Sequence, residues 1–180
     1  MESIEGVTLR TEMRAGDLGR IVSLHGELYA RECGWNLTFE AYVAGPLAEF
    51  VRAQSAGNRL WIAEHVGGIV GCVAIVGASQ REVQLRWYLV VPEWRRRGLG
   101  RRLLAEAVAF SREQGYETVF LWTTSNLTAA AKQYLSAGFR KIEARPGRMW
   151  GKDVVEEKYE LALRQSIAAG SPVPPRLECP

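Results

Sequence analysis

Apolar and polar residues alternate over 7–13 (Val-Thr-Leu-Arg-Thr-Glu-Met), the period of an amphipathic strand. Leu18, Ile21, Val22, Leu24 and Leu28 then fall on one helical stripe, which predicts a helix over 16–33, and a second helix is read over 39–55. The period returns to two, with strands predicted over 59–66, 69–77 and 82–91, and Gly67-Gly68 marks a hairpin turn. A helix over 98–114 closes at Gly115, a strand rich in β-branched and aromatic residues covers 117–124, and a helix over 127–137 closes at Gly138. Two last strands fit 139–145 and 154–163. The order β-α-α-β-β-β-α-β-α-β-β predicts a layered α/β (α+β) domain.

Composition narrows the class. At 180 residues, 47% apolar and 24% charged, the chain suits one domain, read over residues 1–165, with a disordered Pro-rich tail over 166–180. Four of the seven prolines stand in that tail. The longest apolar run, Val66 to Ala78, has 13 residues and four glycines. A membrane span needs about 20, so no membrane association is expected. The acidic start lacks the pattern of a signal peptide. Cys33, Cys72 and Cys179 are an odd set without metal spacing, and His25 and His65 are forty residues apart. A cytoplasmic protein without a metal is therefore expected. A net charge of +3 is too small to imply a nucleic-acid partner.

The densest chemistry lies in Leu89-Val-Val-Pro-Glu-Trp-Arg-Arg-Arg-Gly-Leu-Gly-Arg-Arg-Leu-Leu104. An apolar strand ends at Pro92, a loop carries Arg95, Arg96 and Arg97, and Gly98 and Gly100 open a helix. A helix start offers unpaired N–H donors and a partial positive charge, which together make an anion site. Arg101 and Arg102 occupy its first turn, where a cation is unfavourable by roughly 0.3–1 kcal/mol. Five arginines within eight residues also repel one another. Binding a polyanion relieves both costs; the plainer reading is a solvated basic face. A dinucleotide fingerprint would need a glycine where Leu103 stands, and no Gly-Lys-Ser/Thr run of a phosphate loop exists.

The spacing Arg95-x-x-Gly98-x-Gly100 resembles the coenzyme A pyrophosphate loop of the GNAT N-acetyltransferase superfamily. A second block, Asn126 to Phe139, spaces Asn126, Ala130 and Tyr134 at i, i+4 and i+8, one helix face, and resembles the GNAT helix ending in Tyr-x-x-x-Gly-Phe. The resemblance covers about residues 7–163. Leu85-Arg86-Trp87, Leu121-Trp122-Thr123 and Gly147-Arg-Met-Trp-Gly151 look like the acetyltransferase half of bacterial MarR–GNAT fusions, although 180 residues leave no room for a DNA-binding half.

The resemblance implies a mixed, mostly antiparallel sheet of about six or seven strands flanked by about four helices. It implies acetyl transfer from acetyl-CoA to a primary amine, the cofactor lying in a splay between the strands at 82–91 and 117–124. Backbone groups of Leu89, Val90 and Val91 would pair with the pantetheine arm. Arg95, Arg96, Arg97, Gly98, Leu99, Gly100 and Arg101 would cradle the pyrophosphate, with Asn126 and Ala130 on the facing helix. An alkyl amine of pKa about 10 is one part in about 10³ neutral at pH 7, a handicap of about 4 kcal/mol, so a base or selection of the neutral form is required. The departing thiolate leaves better protonated. The family places its acid at Tyr134. Where some branches carry a glutamate this chain has Gln84, and Glu82, two residues earlier on the same strand face, is the candidate base acting through water; a base-free route using ordered water is the alternative.

For the acceptor, Arg86 shares strand parity with Glu82, Gln84 and Tyr88 and is a candidate for a substrate carboxylate or for a structural ion pair. Trp122 and Trp150, with Trp87, are candidate walls, or core. Glu27 and Tyr29 are candidate rim contacts, and His25 reads as structural. A small amino-acid-like amine, a protein N-terminus or lysine, and a non-catalytic acyl-CoA-binding role are the competing readings, with a homodimer open.

Overall fold

The computed structural model describes residues 4–53 and 55–163. Along the chain run β1 (Thr8–Arg10), α1 (Asp17–Cys33), α2 (Leu37–Ala53), β2 (Arg59–His65), β3 (Gly68–Gly77), β4 (Glu82–Val90), α3 (Leu99–Glu113), β5 (Thr118–Thr124), α4 (Thr128–Ser136), β6 (Arg140–Met149) and β7 (Lys152–Ala162). The element order agrees with the sequence reading. The differences lie at the ends. β1 is three residues rather than seven, because the chain turns after Arg10 so that its guanidinium reaches Asp17 at 2.7 Å and Glu64 at 2.8 Å. β6 runs on to Met149, paired along its length with β7. A 3-10 turn over Pro92–Trp94, absent from the sequence reading, links β4 to the arginine loop. The tail expected over 166–180 lies outside the described residues.

The seven strands form one sheet in the order β1-β2-β3-β4-β5-β7-β6. All pairs are antiparallel except β4 with β5. That parallel pair holds only at Glu82↔Thr118, Val83↔Val119 and Gln84↔Phe120; beyond Gln84 the two strands have no paired residues and the sheet opens. One face carries α3 and α4 over Val73, Val83, Leu85, Val119 and Leu121. The other carries α1 and α2 over Ile62, Cys72, Trp87 and Leu89. The β2–β3 turn sits one residue earlier than expected: its left-handed positions are Val66 (φ 47) and Gly67 (φ 74), while Gly68 begins β3.

A β-bulge in β4 decides which side chains enter the opening. Between the pairs Ala74↔Arg86 and Cys72↔Leu89, β3 advances two residues and β4 three, and Trp87 takes φ 48. An extra residue reverses the faces after it. Val83 and Leu85 therefore pack under α3, but Trp87 and Leu89 pack under α1 and α2. This corrects the parity argument: Arg86 stands over Tyr42 of α2, whereas Tyr88 turns to α4 and donates its hydroxyl to Gln133 Oε1.

Candidate active site

The loop before α3 is built for an anion. Arg96 (φ 59) and Gly98 (φ 85) are both left-handed, a conformation that costs a side-chain-bearing residue free energy and is concentrated at functional sites. Among the described residues the first backbone N–H of α3 accepted by a carbonyl four residues back is that of Arg102, by Gly98 at 3.0 Å; those of Arg96 to Arg101 stand outside the ladder. Gly98 is required for its φ, since a Cβ there would meet nothing within 4 Å. At Gly100 a Cβ would lie 2.5 Å from the Tyr88 hydroxyl and 2.7 Å from Gln133 Oε1, so a larger residue would have to displace that hydrogen-bonded pair.

These groups open onto a groove of about 610 Å³ between α3 and α4. Arg96, Gly98, Gly100 and Arg101 line it, as the sequence reading proposed; Arg112 and Lys132 also line it and were missed. Their signal was present: Arg101, Ala105, Val108 and Arg112 recur at helical spacing on one face of α3. The remaining arginines point elsewhere. Arg97 stacks on Trp94 at 5.1 Å. Arg95 grips Glu32 of α1 at 2.9 Å and donates from Nε to the Val90 carbonyl at 3.0 Å. Leu99 is fully buried, so it contributes only backbone.

The second space is the cleft where β4 and β5 part, about 110 Å³, roofed by α1 and α2. Gln84, Arg86, Trp87 and Tyr88 enter it from β4, Trp122 to Thr124 from β5, Ala130 and Tyr134 from α4, and Glu156 from β7. Trp150 (φ 53) and Gly151 (φ 79) turn the β6–β7 hairpin so that Trp150 packs on Trp35 at 4.4 Å and Phe39 at 4.9 Å and closes the far wall. Tyr88 and Gln133 form a partition, since Tyr88 lines the cleft and Gln133 the groove.

Tyr134 is fixed by the way α4 ends. Gly138 (φ 92) reverses the chain, Gly138 N–H bonds the Leu135 carbonyl, and Phe139 N–H bonds that of Tyr134, each at 3.0 Å. This is a Schellman cap, and its usual apolar contact is the Tyr134–Phe139 ring pair at 6.0 Å. Tyr134 is 5% exposed; burial first, then neighbouring phenols including Tyr29 and Tyr88, raises its pKa well above 10, so the hydroxyl keeps its proton.

Residues 56–141 match the acetyltransferase (GNAT) domain family. The match to that family spans just under half of the chain. N-acetyltransferase family 8 member 3 of Rattus norvegicus is 36% identical over 86 residues, covering 45% of this chain and 38% of that protein. The chain thus matches 38%, 40% and 45% of the length of three such curated relatives. In structure the chain is similar to yncA of Salmonella typhimurium, an acetyltransferase solved with its cofactor acetyl-CoA (TM-score 0.73, 21% identity, 92% of this chain and 98% of that one). It is also similar to spermidine N-acetyltransferase of Vibrio cholerae, solved with CoA and spermine (TM-score 0.67, 16% identity, 87% and 95%).

Several sequence expectations need correction on placement. Glu82 is exposed at the closed end of the sheet, where β4 and β5 are still paired, and does not line the cleft. Asn126 precedes α4 rather than sharing its face with Tyr134; it lines a separate cavity with Cys33 at the end of α1. The Val91 amide is committed to the Val70 carbonyl and the Val90 carbonyl to Arg95, while Leu89 is buried under α1 and α2; none of the three lines either space. Arg86, Trp122, Ala130 and Trp150 do line the cleft. Tyr29 lines it too, as does His25, whose Nδ1 faces the Ile21 carbonyl at 2.8 Å and whose Nε2 is buried without a partner. Glu27 is turned to Ser23 on the exposed side of α1. No group of metal ligands occurs among the described residues, and no helix there is long and apolar enough to cross a membrane.

Proposed function

We propose that the protein is an N-acetyltransferase that moves an acetyl group from acetyl-CoA to a small primary amine by direct attack in a ternary complex. The observation that carries this reading is the paired site. A basic groove with free helix-start amides is linked, through the Tyr88–Gln133 hydrogen bond, to a cleft that holds a buried, protonated tyrosine. The amides from Arg96 to Arg101, with Arg96, Arg101 and Arg112, suit a pyrophosphate and its neighbouring phosphate. The cleft is far smaller than the roughly 300–1,000 Å³ of a drug-sized ligand site, which favours a small amine over a protein N-terminus or lysine, and a poised acid favours catalysis over acyl-CoA binding alone. The three tryptophan-bearing motifs, which all reach the cleft, support a place near the acetyltransferase half of MarR fusions.

In this mechanism the amine nitrogen bonds to the acetyl carbon as the carbon–sulfur bond breaks, and Tyr134 gives its proton to the departing sulfur. Burial that raises the Tyr134 pKa also makes a thiolate set down beside it more basic, so the transfer is matched. The free thiols Cys33 and Cys72 suit a reducing cytoplasm.

The test is thermal unfolding with acetyl-CoA, NAD and ATP in parallel. A ligand at 100 times its Kd adds about 2.7 kcal/mol, or roughly 5–11 °C for a domain of this size. Acetyl-CoA alone should give that shift, followed by CoA release with an amine panel. No shift at millimolar acetyl-CoA would refute the proposal.

A further inference from the structure

We propose that the acceptor carries both an amine and a carboxylate, as an amino acid with an apolar side chain does, and that Glu156 and Thr124 hold its amine while Arg86 holds its carboxylate. The inference rests on the acetyltransferase reading above and names the acceptor class for the same cleft.

The amine end is drawn by two neighbours. Thr124 and Glu156 face each other across the β5–β7 register and both line the cleft. Directly opposed side chains on antiparallel strands have Cβ atoms about 4.5–5.5 Å apart. Thr124 is 2% exposed and its hydroxyl has no hydrogen-bond partner. An unpaired buried hydroxyl is destabilising until a ligand satisfies it. Beside it, Glu156 Oε2 lies 3.3 Å from Arg145 Nε, and Arg145 is itself stacked over Trp122 at 4.2 Å. The carboxylate is therefore held by one oxygen and has acceptor capacity to spare.

The other end is drawn by Arg86. Its guanidinium lies over Tyr42 at 5.9 Å and Trp87 at 5.2 Å, and no carboxylate pairs with it among the described residues. A permanently charged fork left unpaired in an aromatic-walled cleft matches a planar carboxylate. Tyr42, Trp122 and Trp150 between the two ends offer apolar surface for a side chain. Cation on one wall and anion on the other complement a zwitterion.

Glu156 also completes the proton balance that Glu82 is too far along the sheet to serve. The amine loses one proton to the Glu156 carboxylate as nitrogen bonds to the acetyl carbon. The carbon–sulfur electron pair leaves with sulfur, which takes the Tyr134 proton.

Two matched acceptor pairs test this: L-leucine with isoamylamine, and L-phenylalanine with phenethylamine, each amine lacking only the carboxylate. With acetyl-CoA saturating, kcat/KM should favour at least one amino acid over its amine by about tenfold or more. Arg86→Gln should erase that preference by lowering kcat/KM for the amino acid. Glu156→Gln should lower kcat by about 10²–10⁴, and Thr124→Val should raise the acceptor KM. Thermal shift with each amino acid alone should show stabilisation of the wild type that Arg86→Gln lacks. Preference for the plain amines, or a Glu156→Gln variant with unchanged kcat, would overturn the inference. Absence of any acetyl-CoA shift would instead overturn the acetyltransferase reading, while the amino-acid shift would still decide the binding site.

Discussion

Phe139 donates its backbone N–H to the carbonyl of Tyr134 at 3.0 Å, and the two rings stand 6.0 Å apart. One backbone bond thus ties the buried phenol of the cleft to a residue that is only 2% exposed in the core. Gly138 makes the bond possible by taking φ 92. A Cβ there would come no closer than 3.4 Å to Leu161, so the penalty of Gly138→Ala is conformational. It should cost about 1–2 kcal/mol. The melting temperature should fall by roughly 2–8 °C. An unchanged melting curve would mean that the cap does not hold the helix end.

The arginines of the loop should separate by direction rather than by number. Arg101→Ala and Arg112→Ala should each weaken acetyl-CoA binding by about tenfold, the scale of a lost charge-assisted hydrogen bond. Arg97→Ala should change it less than about twofold, because Arg97 lies against Trp94 and not in the groove. Titration calorimetry at two salt concentrations checks both. Equal losses at all three positions would point to a diffuse basic surface.

Tyr134→Phe should lower kcat by about 10²–10⁴ with acetyl-CoA affinity and melting temperature nearly unchanged, since the ring keeps its contacts with Phe139, Tyr88 and Tyr159. The acid form is the active one, and its pKa is raised well above 10 by burial. The wild-type rate should therefore show no alkaline fall from this group below about pH 10. An alkaline limb near pH 8 to 9 that disappears in Tyr134→Phe would contradict the environment described for it.

His25 should make stability depend on mild acid. Burial lowers its pKa from 6.5 to about 4. Between those values the unfolded chain binds the proton and the folded protein does not, so stability rises with pH. It should be complete above about pH 6.5 and decline as pH falls towards 4, by about 3 kcal/mol in all. Asp17 and Glu64, held below the usual carboxylate range, Asp17 despite its burial and Glu64 chiefly by the Arg10 hydrogen bond, begin to lose their contribution as pH falls past their unfolded values of 3.8 and 4.5, at the acid edge of that window. Denaturant unfolding at pH 7 and 4.5 should show the loss in the wild type and a flatter profile in His25→Leu. Equal slopes would remove His25 as the cause.

The element order, the loop at Arg95–Gly100 and the place of Tyr134 were legible along the chain, because helix period, strand alternation and glycine caps are local properties. Local spacing also showed that Gly98 must turn and that Gly138 must end a helix. What the chain could not show was direction. One extra residue at Trp87 reverses the faces of β4, sending Tyr88 to Gln133 and Arg86 to Tyr42. The parting of β4 from β5 leaves Glu82 at the closed end and brings in Glu156 and Thr124 from strands distant in sequence. The Glu32 contact withdraws Arg95 from the groove that Arg112 and Lys132 enter. These outcomes depend on strand register and on pairings between remote segments, which are set only when the layers pack, and so the tertiary structure alone decided which side chains share the site.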